Sequence, residues 1–254
     1  IVYNTKADEF ITDADGKVTG VTAETEDGTV TYHAKSVVLA TGGFGANEEM
    51  FTKYRPELKG YVTTNHAGAT GDGIVMAQEI GAGTVGLDVV QLMPSSSPIK
   101  GTMTDGIWGD ASQQIWIDGE GNRFVNEYAE RDVLAKASLA LDNGIFYIIY
   151  AGKDVNENGE LQGATLEDGL FGTTVQSMVD NGHVWYGSTL KELAENSKTS
   201  AGGAAPAFSE EALRATIEKY NTYVANQKDD DFGKEALQAA CADPSFFSEF
   251  GRSA

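Results

Sequence analysis

Apolar and polar residues alternate over Val18–Ala23 and Val30–Ala34, and the turn dipeptides Asp15-Gly16 and Asp27-Gly28 stand before these runs. Residues 1–40 therefore read as β-rich. Ser36–Ala40 has a different pattern. Its unbroken apolar run predicts a strand buried on both faces. The run ends at Thr41-Gly-Gly43, and Glu48–Tyr54 has a helical pattern. Gly, Thr and Asn dominate Gly60–Gly73. Ile74–Ile80 reads as a short helix stopped by Gly81. A buried strand that runs into glycines is the usual setting of a sheet-end site in α/β folds, where ligands approach the carboxyl ends of strands.

The pattern shifts across Asp88–Pro98, where Pro94 and Pro98 bracket three serines, as at a boundary or hinge. Beyond it, Ile115–Ile117, the turn Asp118–Gly121 and Arg123–Val125 read as a β-hairpin. Ile145–Ala151 reads as a buried strand. Helices are expected at Val133–Leu141, Leu166–Phe171, Val175–Asp180, Leu190–Glu195 and Glu210–Asn226. The last has Ser209 as N-cap and Leu213, Ile217 and Tyr220 on one face. Ser200–Ala207 reads as a small flexible segment. The fold class is α/β in the first part and α+β in the second.

Charge narrows the possible partners. The 254 residues carry 18 Lys+Arg against 38 Asp+Glu, a formal net charge of -20. No basic stripe exists to meet phosphates, which excludes nucleic acid as partner, and an anionic membrane surface would repel the chain. Residues 1–92 carry 6 basic and 13 acidic groups, so the second part holds most of the excess charge. The single Cys241 excludes an internal disulfide framework, and the scattered His33, His66 and His183 argue against a zinc site, so no metal is expected. The apolar runs fall far short of a transmembrane segment. Nothing in the chain reads as a signal peptide, and localisation stays open between cytoplasm and cell exterior. The opening at Ile1, directly in strand-like sequence, suggests a piece of something longer.

Several motifs could carry chemistry. Gly81-Ala-Gly83-Thr-Val-Gly86 matches G-x-G-x-x-G in letters, but a helix precedes it and strand-like Thr84–Val90 follows, the reverse of a phosphate loop. It reads as a helix stop and turn. Asp154–Gly159 begins like a calcium loop, yet Thr165 stands where bidentate Glu is required, so a polar turn is preferred. Ala40–Phe44 places two glycines at a strand end, where a cofactor or another backbone could come close. Asn65–Gly73 could present backbone N–H groups to a phosphate or flavin, or be an ordinary glycine-rich turn. Gly121–Asp132 holds Arg123 and Arg131, two of only five Arg. Local sequence alone favours surface ion pairs for both.

Taken together and in order, these segments resemble one family: the fumarate reductase/succinate dehydrogenase flavoproteins, in their soluble flavocytochrome c and urocanate-reductase-like branch. The resembling residues are Ser36–Asn47, Lys53–Leu58, Thr64–Gly73, Arg123–Glu127 with Arg131-Asp132, and Tyr220-Asn221 with Asp231–Gly233. The resemblance implies a partial FAD-binding (Rossmann-like) domain over residues 1–88, followed by an α+β capping, or clamp, domain over 89–254. The family's N-terminal GxGxxG segment and its C-terminal substrate-binding segment have no counterpart here, so an internal fragment is expected. FAD is the implied cofactor. Ala7 would lie near its adenine, Thr41, Gly42 and Gly43 along it, and Thr70, Gly71 and Asp72 towards the flavin.

The implied chemistry is reduction of an activated C=C bond in a small unsaturated carboxylate, with hydride from flavin N5 and a proton from Arg131. Arg is a poor acid, with pKa above ~12, but it can protonate a strongly basic carbanion in a dry site and stabilise the charge that develops there. The resemblance thus reverses the local reading of Arg131, while Arg123 stays a structural ion-pair or loop-holding residue. Met93 and Asp132 are implied beside the substrate. The family's fumarate reductases carry His where Met93 precedes Pro94, and a Glu and an Arg as proton relay. Here only Asp105, or Asp110 as second choice, could be a relay carboxylate. Loss of that positive charge points away from fumarate and towards an aryl or heteroaryl acrylate. Without its pyrophosphate loop the chain alone is expected to hold FAD weakly or not at all, and to be inactive. It would need the rest of the FAD domain as partner, or self-associate through an exposed sheet face. The competing expectation is a flavin-free folded module with a structural or binding role.

Overall fold

In the computed structural model, residues 1–96, 111–151, 153–155, 161–162, 175–182, 184–199, 206–237 and 245–253 are described. The chain divides into two compact units, Ile1–Val90 and Gln91–Ala254.

The first unit opens with an antiparallel meander of β1 (Lys6–Thr12), β2 (Val18–Thr25) and β3 (Gly28–His33), with β2 in the centre. The turns fall where the Asp-Gly pairs predict them. Gly16 and Gly28 adopt φ of 81° and 111°, which L side chains avoid. Helix α1 (Glu48–Tyr54) starts at Asn47, whose side chain accepts the Met50 N–H, and buries Met50 and Phe51. Helix α2 (Asp72–Glu79) stops at Gly81. There the Ala82 N–H reaches the Ala77 carbonyl and the Gly81 N–H the Gln78 carbonyl, a Schellman ending. The letters of a phosphate loop at Gly81–Gly86 are therefore a helix stop, and Thr84–Val90 forms no strand.

Ser36–Ala40 corrects the sequence-based expectation. It is not a strand and pairs with none among the described residues; Val38 is 87% exposed and Leu39 44%. An apolar run becomes a buried strand only where neighbours satisfy its backbone and cover both faces.

The second unit meets both conditions. Its sheet runs β4 (Met93–Ser96), β10 (Ser245–Ser253), β6 (Phe146–Ala151), β5 (Gln114–Ile117), with β9 (Val184–Gly187) also paired to β10, all antiparallel. Along β5 and β6 successive side chains enter opposite cores. Ile115, Ile117, Tyr147 and Ile149 join Leu190, Leu193, Leu213, Ile217 and Tyr220 from helices α5 (Leu190–Asn196) and α6 (Glu210–Asn226). Trp116, Phe146 and Ile148 face the other way, with Leu134 and Ala137 of α3 (Arg131–Leu139) packed on them. The Trp116 and Phe146 rings stack at 4.5 Å. Helices on both faces make the strand at Ile145–Ala151 apolar throughout. Ser209 caps α6 by accepting the Ala212 N–H.

The expected hairpin at Ile115–Val125 shrinks to a single bridge, Ile117 to Arg123; along the rest of that edge of β5 the Trp116 N–H bonds to the Glu127 side chain instead of to a strand. Strands β7 (Lys153–Val155) and β8 (Leu161–Gln162) pair across the Asp154–Gly159 region, whose residues 156–160 are outside the described set. Helix α4 (Val175–Asp180) forms where expected. The helix expected at Leu166–Phe171 and most of Ser200–Ala207 also lie outside the described residues.

Candidate functional site

In the first unit the structure brings together the two glycine-bearing loops that the sequence singles out. The Gly71 N–H donates to the Gly43 carbonyl (3.1 Å) and the Ala46 N–H to the Ala69 carbonyl (2.9 Å). The Asn47 side chain caps α1 with its oxygen and donates through Nδ2 to the Thr70 carbonyl at 2.8 Å. Small residues make this approach possible. A Cβ on Gly71, whose φ is +81°, would stand 2.5 Å from Met50 Sδ and 2.8 Å from Phe44 Cβ. A Cβ on Gly73 would stand 2.1 Å from Thr41 Oγ1.

Gly42 and Gly43 face the other way. A Cβ on either would meet nothing within 4 Å, and their N–H groups have no acceptor among the described residues. Thr41–Gly43 thus offers bare, open backbone donors, a partial cradle that fits a cofactor's polar edge. Asp72 opens α2 beside it and pairs with Lys6 of β1 at 3.3 Å. Hydrogen bonding from Thr70, then from Lys6, holds the Asp72 carboxyl below its usual range. Ala7 lies on β1 opposite Ala23. Thr41, Gly42, Gly43, Thr70, Gly71 and Asp72 therefore converge, with Ala7 one residue along from Lys6.

In the second unit Arg131 and Asp132 form the first turn of α3, and both are exposed. Asp132 pairs with Lys136 one turn on, at 3.1 Å. The Arg131 guanidinium has no partner among the described residues. Met93 begins β4, the strand on which α3 packs. Asp105 and Asp110 lie outside the described residues.

Arg123 has the opposite environment. Its side chain is 5% exposed and forks onto Glu127 through Nε and Nη2 (both 2.9 Å) and onto Asp229 through Nη1 and Nη2 (3.3 and 3.0 Å). The guanidinium also lies 5.1 Å from each of the Tyr220 and Phe232 ring centres. Burial alone would lower its pKa, but the hydrogen bonds from Glu127 and Asp229 outweigh it and raise the pKa above the usual value. Burial would likewise lift the Asp229 carboxyl; Arg123, with backbone donors such as the Lys234 N–H, holds it below its usual range. Lys234, fully buried, donates to the Gln114 carbonyl (2.8 Å) and Tyr220 Oη (2.9 Å), with Glu127 at 3.4 Å. Burial pulls its pKa down, with Glu127 opposing.

The cluster also closes an edge. β5 is the last strand of its sheet, and its outward groups, the Trp116 N–H and the Gln114 carbonyl, bond to Glu127 (3.1 Å) and Lys234 rather than to another strand. Sequence reasoning placed Arg123 in an ion pair but left Asp229 and Lys234 unnamed. Only Glu127, four residues from Arg123 in the same motif, carried a local signal.

A family model described as FAD binding domain matches residues 1–248. The chain is 36% identical over 242 residues to a urocanate reductase of Eggerthella lenta, covering 93% of this chain and 37% of that protein. It is 34% identical over 242 residues to an NADH:fumarate oxidoreductase of Klebsiella pneumoniae, covering 94% of this chain and 23% of that protein. Among solved structures, the open conformation of a flavocytochrome c3 fumarate reductase superposes with a TM-score of 0.64 at 27% identity, covering 98% of this chain and 40% of that one. The chain thus spans about a quarter to two fifths of the length of these relatives.

Proposed function

The chain belongs to the FAD binding domain family, and on that premise we propose that it is one part of a longer flavoenzyme that reduces the activated C=C bond of an unsaturated carboxylate. In this reading residues 1–88 form part of the FAD-binding domain, and residues 89–254 form the capping domain. Bound FAD supplies the reducing electrons. Thr41–Gly43 hold the cofactor through the open Gly42 and Gly43 N–H groups, Thr70–Asp72 lie beside it towards the flavin, and Ala7 lies towards its adenine.

Arg131 delivers the proton. As negative charge builds on the substrate, the guanidinium stabilises it and then protonates the carbanion-like carbon; a proton from solvent, passed through Asp105, restores it. One observation carries this assignment. Of the two arginines in the motif, Arg123 is consumed by two buried carboxylates, whereas Arg131 stands exposed at a helix start without a partner among the described residues. Met93 and Asp132 are assigned to the substrate's surroundings, and Asp105 to proton resupply. Met93, uncharged, favours an aryl or heteroaryl acrylate over the dianion fumarate.

Arg131→Ala in the flavin-loaded enzyme tests the reading. Reoxidation of reduced flavin by urocanate should fall by about a hundredfold to ten-thousandfold, with the flavin spectrum retained. Unchanged turnover would return Arg131 to a surface role. In the parent enzyme, fumarate turning over much faster than urocanate would sink the substrate preference alone.

A further inference from the structure

We infer that Arg123 is a positioning residue for Arg131, acting through a neutral cluster of four buried charges. The inference rests on the assignment of Arg131 above. Arg123, Lys234, Glu127 and Asp229 balance to zero charge, and each is held by at least two of the others or by backbone groups. They join three separate pieces of the second unit: the edge of β5, the loop from Gly121 to Glu130, and the turn from Asp229 to Lys234. Tyr220 of α6 stands between the last two, with its ring against Arg123 and its hydroxyl on Lys234.

The loop's other anchors lie before Glu127: Asn122 is bonded to Asp118, and the Phe124 ring packs edge-on against Phe146. Thr216 Oγ1 donates to the Gly121 carbonyl at its start (2.6 Å), and besides Arg123 its buried side chains are Val125 and Glu127. After Glu127 the chain makes one turn, closed by the Ala129 N–H on the Asn126 carbonyl (3.0 Å), and α3 begins. The Glu130 side chain does not cap the helix. Glu127 is thus the last buried polar anchor before Arg131, and Arg123 fixes Glu127 with a two-point fork. A fork sets direction as well as distance, which a Lys ammonium cannot do. Misplacement of a reacting group by about 1 Å costs on the order of a hundredfold in rate.

The test is Arg123→Lys, which keeps the charge and loses the fork. In the chain itself, amide exchange at Val133 and Leu134, both bonded to the Glu130 carbonyl, should quicken at least about tenfold, while Ile149 of β6 changes little. In the flavin-loaded enzyme, kcat should fall by about ten- to a hundredfold with KM nearly constant. In an Arg131→Ala background, Arg123→Lys should add no further loss. Uniform quickening of exchange, no quickening, or additive losses would each overturn the positioning role. Full turnover in Arg131→Ala would instead sink the assignment of Arg131 and leave the exchange result standing. If Arg123→Lys does not fold, Phe232→Leu removes one face of the ring sandwich. It should then quicken the same two amides about threefold; no change there would overturn the proposal.

Discussion

Ser36–Ala40 and Ile145–Ala151 carry the same sequence signal and end in opposite places. Each is a short apolar run rich in branched side chains. The second is strand β6, paired on both sides and covered on both faces, with Phe146 and Ile149 fully buried. The first pairs with nothing among the described residues and leaves Val38 in the open. An apolar run records what a segment needs, and the neighbours decide whether it is met. The same contrast holds for polar residues: of Arg123 and Arg131, eight positions apart, the first is locked between two buried carboxylates and the second is exposed, with no partner among the described residues.

Three substitutions would sharpen or break this contrast. The largest effect is expected from Ile149→Ala. It empties a site between β5, β10 and the helices α5 and α6, and should destabilise the second unit by about 2–5 kcal/mol in equilibrium unfolding. A cost below about 1 kcal/mol would mean that this core is not the tight one described. Gly71→Ala comes next. It places a Cβ at a positive φ and against Met50 and Phe44, and should cost the first unit about 1–3 kcal/mol and loosen the meeting of the two glycine loops. A neutral result would show that the loops meet less closely than the structure has them. Val38→Thr should be the smallest, within about 0.5 kcal/mol, because its side chain is already solvated. A large loss of stability there would mean that Ser36–Ala40 is covered after all.

Much of the local structure was legible in the sequence. Helix α1, the Ser209 cap of α6, and both Asp-Gly turns follow from propensity, capping and glycine φ, which act within a few residues. The two glycine loops were legible as a candidate site for the same reason, since small residues advertise close approach. Strand β10 was not. It sits centrally in the second unit's sheet but has no clean alternation, and its place is set by partners far away in the chain. Asp229 and Lys234 were not legible either, for they stand more than 100 residues after Arg123.

The sequence by itself determined the family, the starts of α1 and α6, the stop of α2 at Gly81, the glycine-bearing loops, and the acidic balance. Those depend on residue type and short spacing. Tertiary structure alone decided which apolar run became a core strand, which arginine was buried, and that the free edge of β5 is closed by charges. Those outcomes depend on burial and pairing between distant segments, where the cost of an unmet backbone group or an unbalanced charge selects one arrangement.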